Sequence, residues 1–388
     1  MEKFNYSIPT RVYFGKGQLA HLSELKNYGN KVLLVYGGGS IKRSGLYDDV
    51  LAIMKEHKIK VQELSGVEPN PHIDTVRRGV SICKSQGVDM VLAVGGGSTI
   101  DCAKVVAAGA CYDQDAWDLV IDSEKITKTL PIFTVLTLSA TGSEMDRVAV
   151  ISDPSIPDKV GTHADGLFPT MSILDPTYTY SVSARQTAAG TADMMSHTME
   201  NYFTNVPAAD VQAGFCESIL KTCIKYGPIA IANPKDYDAR ANLMWCGSLA
   251  INGILSYGAP VKWCVHPMEH ELSAYYDVTH GEGLAVLTPV WMEYVLDHYA
   301  PAKKKLAQFG RNVWGIVNQD DAIAAREAIE KLKEFFFETL RLPKNLRELG
   351  IEDKSKIEAM AERAAKGCQG AFMELTKEDV KTILERAF

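Results

Sequence analysis

Four residues have the types and spacing to hold one metal ion: Asp193, His197, His266 and His280. Asp193 and His197 lie four apart in AGTADMMSHTMENY, a stretch that reads as helix, so both side chains leave one face. His266 and His280 come later in the chain, at the two ends of HPMEHELSAYYDVTH. One carboxylate and three imidazoles make a hard-to-borderline ligand set, suited to Fe(II), Zn, Co, Ni or Mn. A third histidine, His270, and the acids Glu269, Glu271 and Asp277 crowd the same stretch. A rival chemistry uses part of this set. His266-Pro267-Met268-Glu269-His270 fits H-x-x-E-H, an inverted metallopeptidase signature with Glu269 as general base. That reading leaves Asp193 and His197 idle, and Pro267 suits a helix start better than the interior of a ligand helix.

The N-terminal half carries a second kind of chemistry. Gly95-Gly96-Gly97-Ser98 sits between an apolar run and a helical stretch, where backbone N–H groups and the helix dipole favour a pyrophosphate. Glycines let the backbone approach phosphates closely. The pattern is neither G-x-G-x-x-G, because Ile100 takes the last position, nor a Walker loop, because no G-K-[ST] follows. The first such turn, Gly37-Gly38-Gly39-Ser40, is uncharged and followed by Lys42 and Arg43, with no acid before Asp48. A cation there accommodates a 2′-phosphate, which favours NADP(H) over NAD(H). A hydroxyl-rich loop, TVLTLSATGSEMD at 134–146, offers Thr137, Thr141, Gly142 and Ser143 to a phosphate or ribose. A metal site beside a nucleotide site points to metal-assisted hydride transfer; a non-catalytic nucleotide sensor has little use for four metal-capable side chains.

Two rhythms position these groups. Strands are expected at 31–36, 60–64, 88–94 and 131–137, alternating with helices near 45–57, 73–86 and after 95–98, the pattern of a parallel α/β sheet. From about residue 184 the spacing turns helical, over 184–205, 208–231, 235–256, 282–298, 319–339, 353–367 and 376–387. The break falls after Asp175-Pro176, where Ser183 can cap a helix. The expected division is therefore an α/β dinucleotide-binding domain over 1–180 and an all-α metal-binding domain over 181–388.

Bulk properties narrow the class. The chain has 388 residues, 46% apolar and 23% charged, with a net charge of -7. An acidic balance argues against nucleic acid or an anionic membrane as partner. No apolar run approaches the length of a membrane span, and MEKFNYSIPTRVYFGKG has no signal-peptide core, so a cytoplasmic location is expected. The eight cysteines show no C-x-x-C pair and read as reduced, mostly buried thiols.

Taken together, GGGS at 95–98 with Asp101, TLSATGSE at 137–144, Asp193-x-x-x-His197 and 266–280 resemble the iron-containing (group III) alcohol dehydrogenases. The resemblance runs nearly end to end, and YGGGSIKRSG, GVEPNP and EHELSAYYD look most like the butanol dehydrogenase branch. It implies a dehydroquinate synthase-like, iron-type alcohol dehydrogenase fold with a cleft between an α/β and a helical domain. Asp193, His197, His266 and His280 match the family's metal ligands, with Fe(II) foremost and Zn, Co or Ni as alternatives. Gly95, Gly96, Gly97, Ser98 and Asp101 match its pyrophosphate loop. Gly38 and Ser40 match the adenosine-ribose end, with Gly37 and Gly39 of the same turn also expected at the cofactor. Thr137, Ser139 and Thr141 match cofactor contacts, Lys159 a lysine beside the cofactor, and Asn70 a nucleotide-side loop. His270 matches a histidine near the nicotinamide rather than a ligand, and is expected to relay a proton. The resemblance also implies homodimers joined through N-terminal strands such as RVYF at 11–14, and short primary alcohols and aldehydes as substrates. A polyol dehydrogenase for glycerol or propanediol is the alternative within the same fold. Trp263, Met145 and Tyr275 are expected to line the substrate pocket.

Overall fold

A computed structural model describes all residues, 1–388. The strands are β1 (Arg11–Phe14), β2 (Lys31–Val35), β3 (Lys60–Leu64), β4 (Met90–Gly95), β5 (Ile132–Leu136), β6 (Val148–Asp153), β7 (Asp158–His163) and β8 (Met171–Leu174). The first half also carries α1 (Ser40–Arg43), α2 (Leu46–Glu56), α3 (Ile73–Gln86), α4 (Gly97–Gly109) and α5 (Trp117–Ile121). The remaining helices are α6 (Ala184–Tyr202), α7 (Asp210–Ala232), α8 (Tyr237–Ile251), α9 (Val265–Tyr276), α10 (His280–His298), α11 (Ala300–Trp314), α12 (Asp321–Lys333), α13 (Ile357–Gly367) and α14 (Lys377–Arg386).

Two compact units result. One comprises Ser7–Val182 with Pro234–Asn252, the other Met1–Tyr6, Ser183–Asn233 and Gly253–Phe388. The α/β unit holds a six-stranded parallel sheet in the order β1-β8-β5-β4-β2-β3. β4 and β5 are buried along their whole length because apolar layers cover both faces. That is why their sequences read as continuous apolar runs. β2 pairs with β3 on one side and β4 on the other, so the strand order reverses there. Both glycine turns leave the carboxyl ends of these two strands, where α/β sheets bind ligands.

The units meet at 182/183 rather than the expected 180/181, and two further segments depart from that division. α8 belongs to the α/β unit, because Ser248 donates to Glu144 Oε1 and a Cβ on Gly142 (φ 68°) would strike Ile251 and the Gly247 carbonyl. Met1–Tyr6 joins the helical unit through Glu2 N–H to the Gly258 carbonyl at 2.8 Å and ring contacts of Phe4 and Tyr6 with Tyr257.

Several elements have no counterpart among the expected spans, including α1, α5 and α9, the β6–β7 hairpin and α11. The antiparallel β6–β7 hairpin is anchored by Lys104, which is fully buried and donates to Asp146 Oδ1 at 2.5 Å and to the Val148 carbonyl at 2.7 Å. α11 interrupts the gap between 298 and 319 that the periodicity leaves unassigned, and its first turn carries Pro301. All eight cysteines are free thiols, seven of them buried. No helix is long and apolar enough to cross a membrane.

Candidate metal centre and nucleotide loops

α6 starts where Ser183 Oγ accepts the Gln186 N–H, and from Thr187 to Tyr202 every residue is buried. It is the central helix of its unit, and its 3.6-residue turn puts Asp193, His197 and Glu200 on one side. His266 stands in the first turn of α9 and His280 opens α10. One donor atom from each of Asp193, His197, His266 and His280 falls within 4.8 Å of the others. His197 Nε2 is 3.6 Å and His280 Nε2 is 3.7 Å from Asp193 Oδ1. These separations are long for hydrogen bonds but close to the ~3.4 Å between tetrahedral ligands at ~2.1 Å from a shared ion.

The rest of the histidine geometry fits the same ion. His266 Nδ1 faces Glu200 Oε1 at 3.1 Å, and its buried Nε2 has no hydrogen-bond partner. His280 turns Nδ1 to Glu269 Oε2 and Nε2 to Asp193. The His197 and His266 rings stack with centroids 4.7 Å apart. Burial first, then the neighbouring His266, His280 and His270, hold His197 well below the usual imidazole pKa. A neutral imidazole is the form that binds a metal.

His270 stands outside this set, its ring centroid 6.4 Å from His266 and 5.7 Å from His280. It groups instead with Glu269 and His280. The peptidase reading therefore fails on geometry. His266 and His270 do not share one donor cluster, and Glu269 is fully buried between His280 Nδ1 and the Ser273 hydroxyl, with no solvent access to activate a water. Trp263 lies against the centre, its ring centroid 4.7 Å from His266 and 5.4 Å from His197. Glu200 and Glu269 are the residues that motif reasoning missed as partners of the histidines. A signal for Glu200 was its place three residues after His197 on a helix already expected.

On the α/β unit, Gly95 ends β4, Gly96 precedes α4 and no side chain caps that helix, so its first turn is open to an anion. Thr137 N–H donates to the Gly95 carbonyl at 3.0 Å, which lays the hydroxyl loop beside this turn. A Cβ on Gly97 would overlap the Thr141 side chain. Ser98 Oγ bonds the Pro69 carbonyl, so the segment bearing Asn70 is held against the same turn. That segment pairs onward with β6, where the Ser152 N–H meets the Pro71 carbonyl at 2.9 Å, and Ser152 is the register partner of Lys159. Ser139 follows Thr137 in the same loop, and its Oγ is buried without a hydrogen-bond partner. Gly39 (φ 92°) begins α1 at Ser40, and a Cβ on Gly37 would lie 3.8 Å from Thr99 Oγ1. The fold thus gathers the expected loop residues at one end of the sheet.

Asp101 has another task. Its carboxylate accepts Ser143 Oγ at 2.5 Å and Val150 N–H at 2.9 Å, and burial raises its pKa to about 6. It ties α4 to the loop and hairpin. Lys42 is also engaged. Its ammonium lies 5.1 Å from the Tyr36 ring centroid and 4.6 Å from that of Tyr47, and both tyrosine hydroxyls donate to Glu63, at 2.6 and 2.8 Å.

Comparison with known proteins agrees with this geometry. Residues 9–176 match the family model described as iron-containing alcohol dehydrogenase, and 187–388 match the C-terminal model of the Fe-containing alcohol dehydrogenase family. The chain is 56% identical to NADH-dependent butanol dehydrogenase A of Clostridium acetobutylicum over 100% of both chains. It is 39% identical to the NADPH-dependent aldehyde reductase YqhD of Escherichia coli, over 92% of this chain and 91% of that one. The crystal structure of NADH-dependent butanol dehydrogenase A from Thermotoga maritima superposes with a TM-score of 0.94 at 38% identity, covering 100% of this chain and 99% of that one. With a parallel-sheet α/β unit, a helical unit and a four-donor centre in place, the chain belongs to the iron-containing alcohol dehydrogenase family, in its butanol dehydrogenase-like branch.

Proposed function

We propose that this protein interconverts short-chain primary alcohols and aldehydes with a nicotinamide cofactor and one divalent metal, Fe(II) foremost. The observation that carries this reading is the convergence of Asp193, His197, His266 and His280 on one point in a chain of this family. When bound, the metal supplies Lewis-acid polarisation of the substrate oxygen and the nicotinamide supplies the hydride. Asp193 and the three histidines hold the ion, and fewer than six protein donors leave room for a substrate oxygen. Trp263 offers an apolar wall beside these ligands, which suits an alkyl chain better than a polyol. His270, one helical turn beyond His266, moves the proton between the substrate oxygen and solvent. Gly95–Ser98, Thr137, Ser139, Thr141, Asn70 and Lys159 hold the cofactor's phosphates and ribose, and Asp101 positions their loop.

Cofactor choice turns on Lys42. The sequence favours NADP(H), yet Lys42 is drawn into a cluster with Tyr36, Tyr47 and Glu63, leaving Arg43 as the cation beside the loop. Relatives of 56% and 52% identity are named for NADH and one of 39% for NADPH. These observations favour NADH. β1, at the edge of the sheet, is the surface through which a homodimer forms. Initial rates with NADH and NADPH against a panel of short aldehydes and glycerol-type polyols test the reading. It predicts highest kcat/KM for an unbranched aldehyde with NADH; a polyol preference overturns the substrate class, and an NADPH preference the cofactor.

A further inference from the structure

Two buried carboxylates outside the ligand set make contacts that a packing role alone does not require. Glu200, on the same side of α6 as Asp193 and His197, is almost wholly buried, and its carboxylate collects the start of α9. Glu200 Oε1 accepts the Val265 N–H at 2.8 Å and the His266 N–H at 2.9 Å, and Oε2 accepts the Cys264 N–H at 3.0 Å. The next residue, Pro267, has no N–H to satisfy. A side chain from another helix thus caps α9, and the same Oε1 also faces His266 Nδ1 at 3.1 Å. Glu269 plays the matching part for His280. It has no solvent exposure, its Oε2 meets His280 Nδ1, and its Oε1 accepts the Ser273 hydroxyl. Gly283 leaves it room, since a Cβ there would lie 2.9 Å from Glu269 Cγ.

We propose that Glu200 and Glu269 are positioning residues that fix the tautomer and ring orientation of His266 and His280, so that both present Nε2 to the metal. The inference rests on the assignment of those histidines as metal holders. Its physical basis is that a carboxylate accepts only a proton-bearing nitrogen, so each glutamate holds the proton on Nδ1 and the lone pair on Nε2. The effect extends to the backbone at Glu200, because one carboxylate sets both where α9 begins and how its ligand ring is turned. Loss of such a partner typically weakens metal affinity about 10–100-fold.

The test uses the full-length protein and needs no turnover. Nitrogen NMR of the metal-free protein, above the imidazole titration range, reads the tautomer of each ring; competition with a chelator reads affinity for Zn(II) and Fe(II). The expected wild-type state is Nδ1–H on His266 and His280. Glu200→Gln and Glu269→Gln should each shift the partnered ring toward Nε2–H and weaken metal binding about 10–100-fold. Nε2–H on either ring of the wild-type protein overturns the proposal, and that measurement stands even where a variant fails to fold. Weaker binding with unchanged tautomers also overturns it, since that is the mark of structural loss alone, as does a tautomer shift with unchanged affinity. Because neither readout involves alcohol or nicotinamide, a failure here is distinguishable from a failure of the proposed reaction.

Discussion

Gly281 rests its Cα against the carbonyl of Ala189, and a methyl group added there would overlap that oxygen. This contact seats the first turn of α10 on the backbone of α6, which brings His280 at the start of one helix to Asp193 on the other. The centre therefore depends on a residue that has no donor atom of its own.

Gly281→Ala is expected to cost about 1–3 kcal/mol of stability through overpacking. Its metal content should fall as well, because the shift falls on the residue next to His280. Thermal melting and metal analysis of the purified variant check this; a destabilised variant that keeps a full complement of metal would show that α10 is held elsewhere.

Gly97→Ala addresses the other unit. The new methyl meets the Thr141 side chain, so the loop or the start of α4 must move. The expected outcome is a raised KM for the nicotinamide with metal content unchanged. Thr141→Ala in the same chain should recover part of the loss. Equal KM values for wild type and variant would remove this turn from the cofactor site.

Glu144 gives a pH dependence. It is 1% exposed, hydrogen-bonded by Ser248 Oγ, and burial raises its carboxyl to about 7 from the ordinary 4.5. The folded chain thus holds a proton that the unfolded chain releases at lower pH. This contribution is fully present below about pH 4.5 and is lost as pH rises through about 7. Asp101, raised to about 6, acts in the same direction. Glu144→Gln should flatten the fall in melting temperature across this window and be the more stable form above it. Parallel pH dependences for the two proteins would contradict the assignment.

His270→Ala tests the proton relay. A general acid–base contribution is typically worth about 10²–10⁴-fold in rate. A drop of that order with a displaced limb in the pH–rate profile, and with metal retained, is expected. Unchanged turnover and profile would leave His270 a packing residue.

Much of this was legible in the chain. β3 and α3 fall on the expected residues because period and boundary signals agree there: KVQEL ends at a polar turn, and α3 ends at Gly87 in the left-handed region. The donor set was legible because histidines and carboxylates at ligand spacing have few other uses in combination. The β6–β7 hairpin was not, because no spacing signal in the chain links Lys104 to Asp146, and only the fold pairs them inside. α8 was visible as a helix but not as part of the α/β unit, since its attachment depends on a glycine backbone, Gly247, and one hydroxyl, Ser248. Glu269 was visible only as a possible base, because a sequence does not show which of its neighbours will face a histidine nitrogen.

Metal dependence of hydride transfer tests the central claim most directly. Protein stripped by a chelator, then assayed for NADH-driven aldehyde reduction before and after Fe(II) or Zn(II) is restored, should lose activity and regain it. Asp193→Ala should stay inactive under both conditions while still binding the nicotinamide. Full aldehyde reduction by metal-free protein would contradict the account.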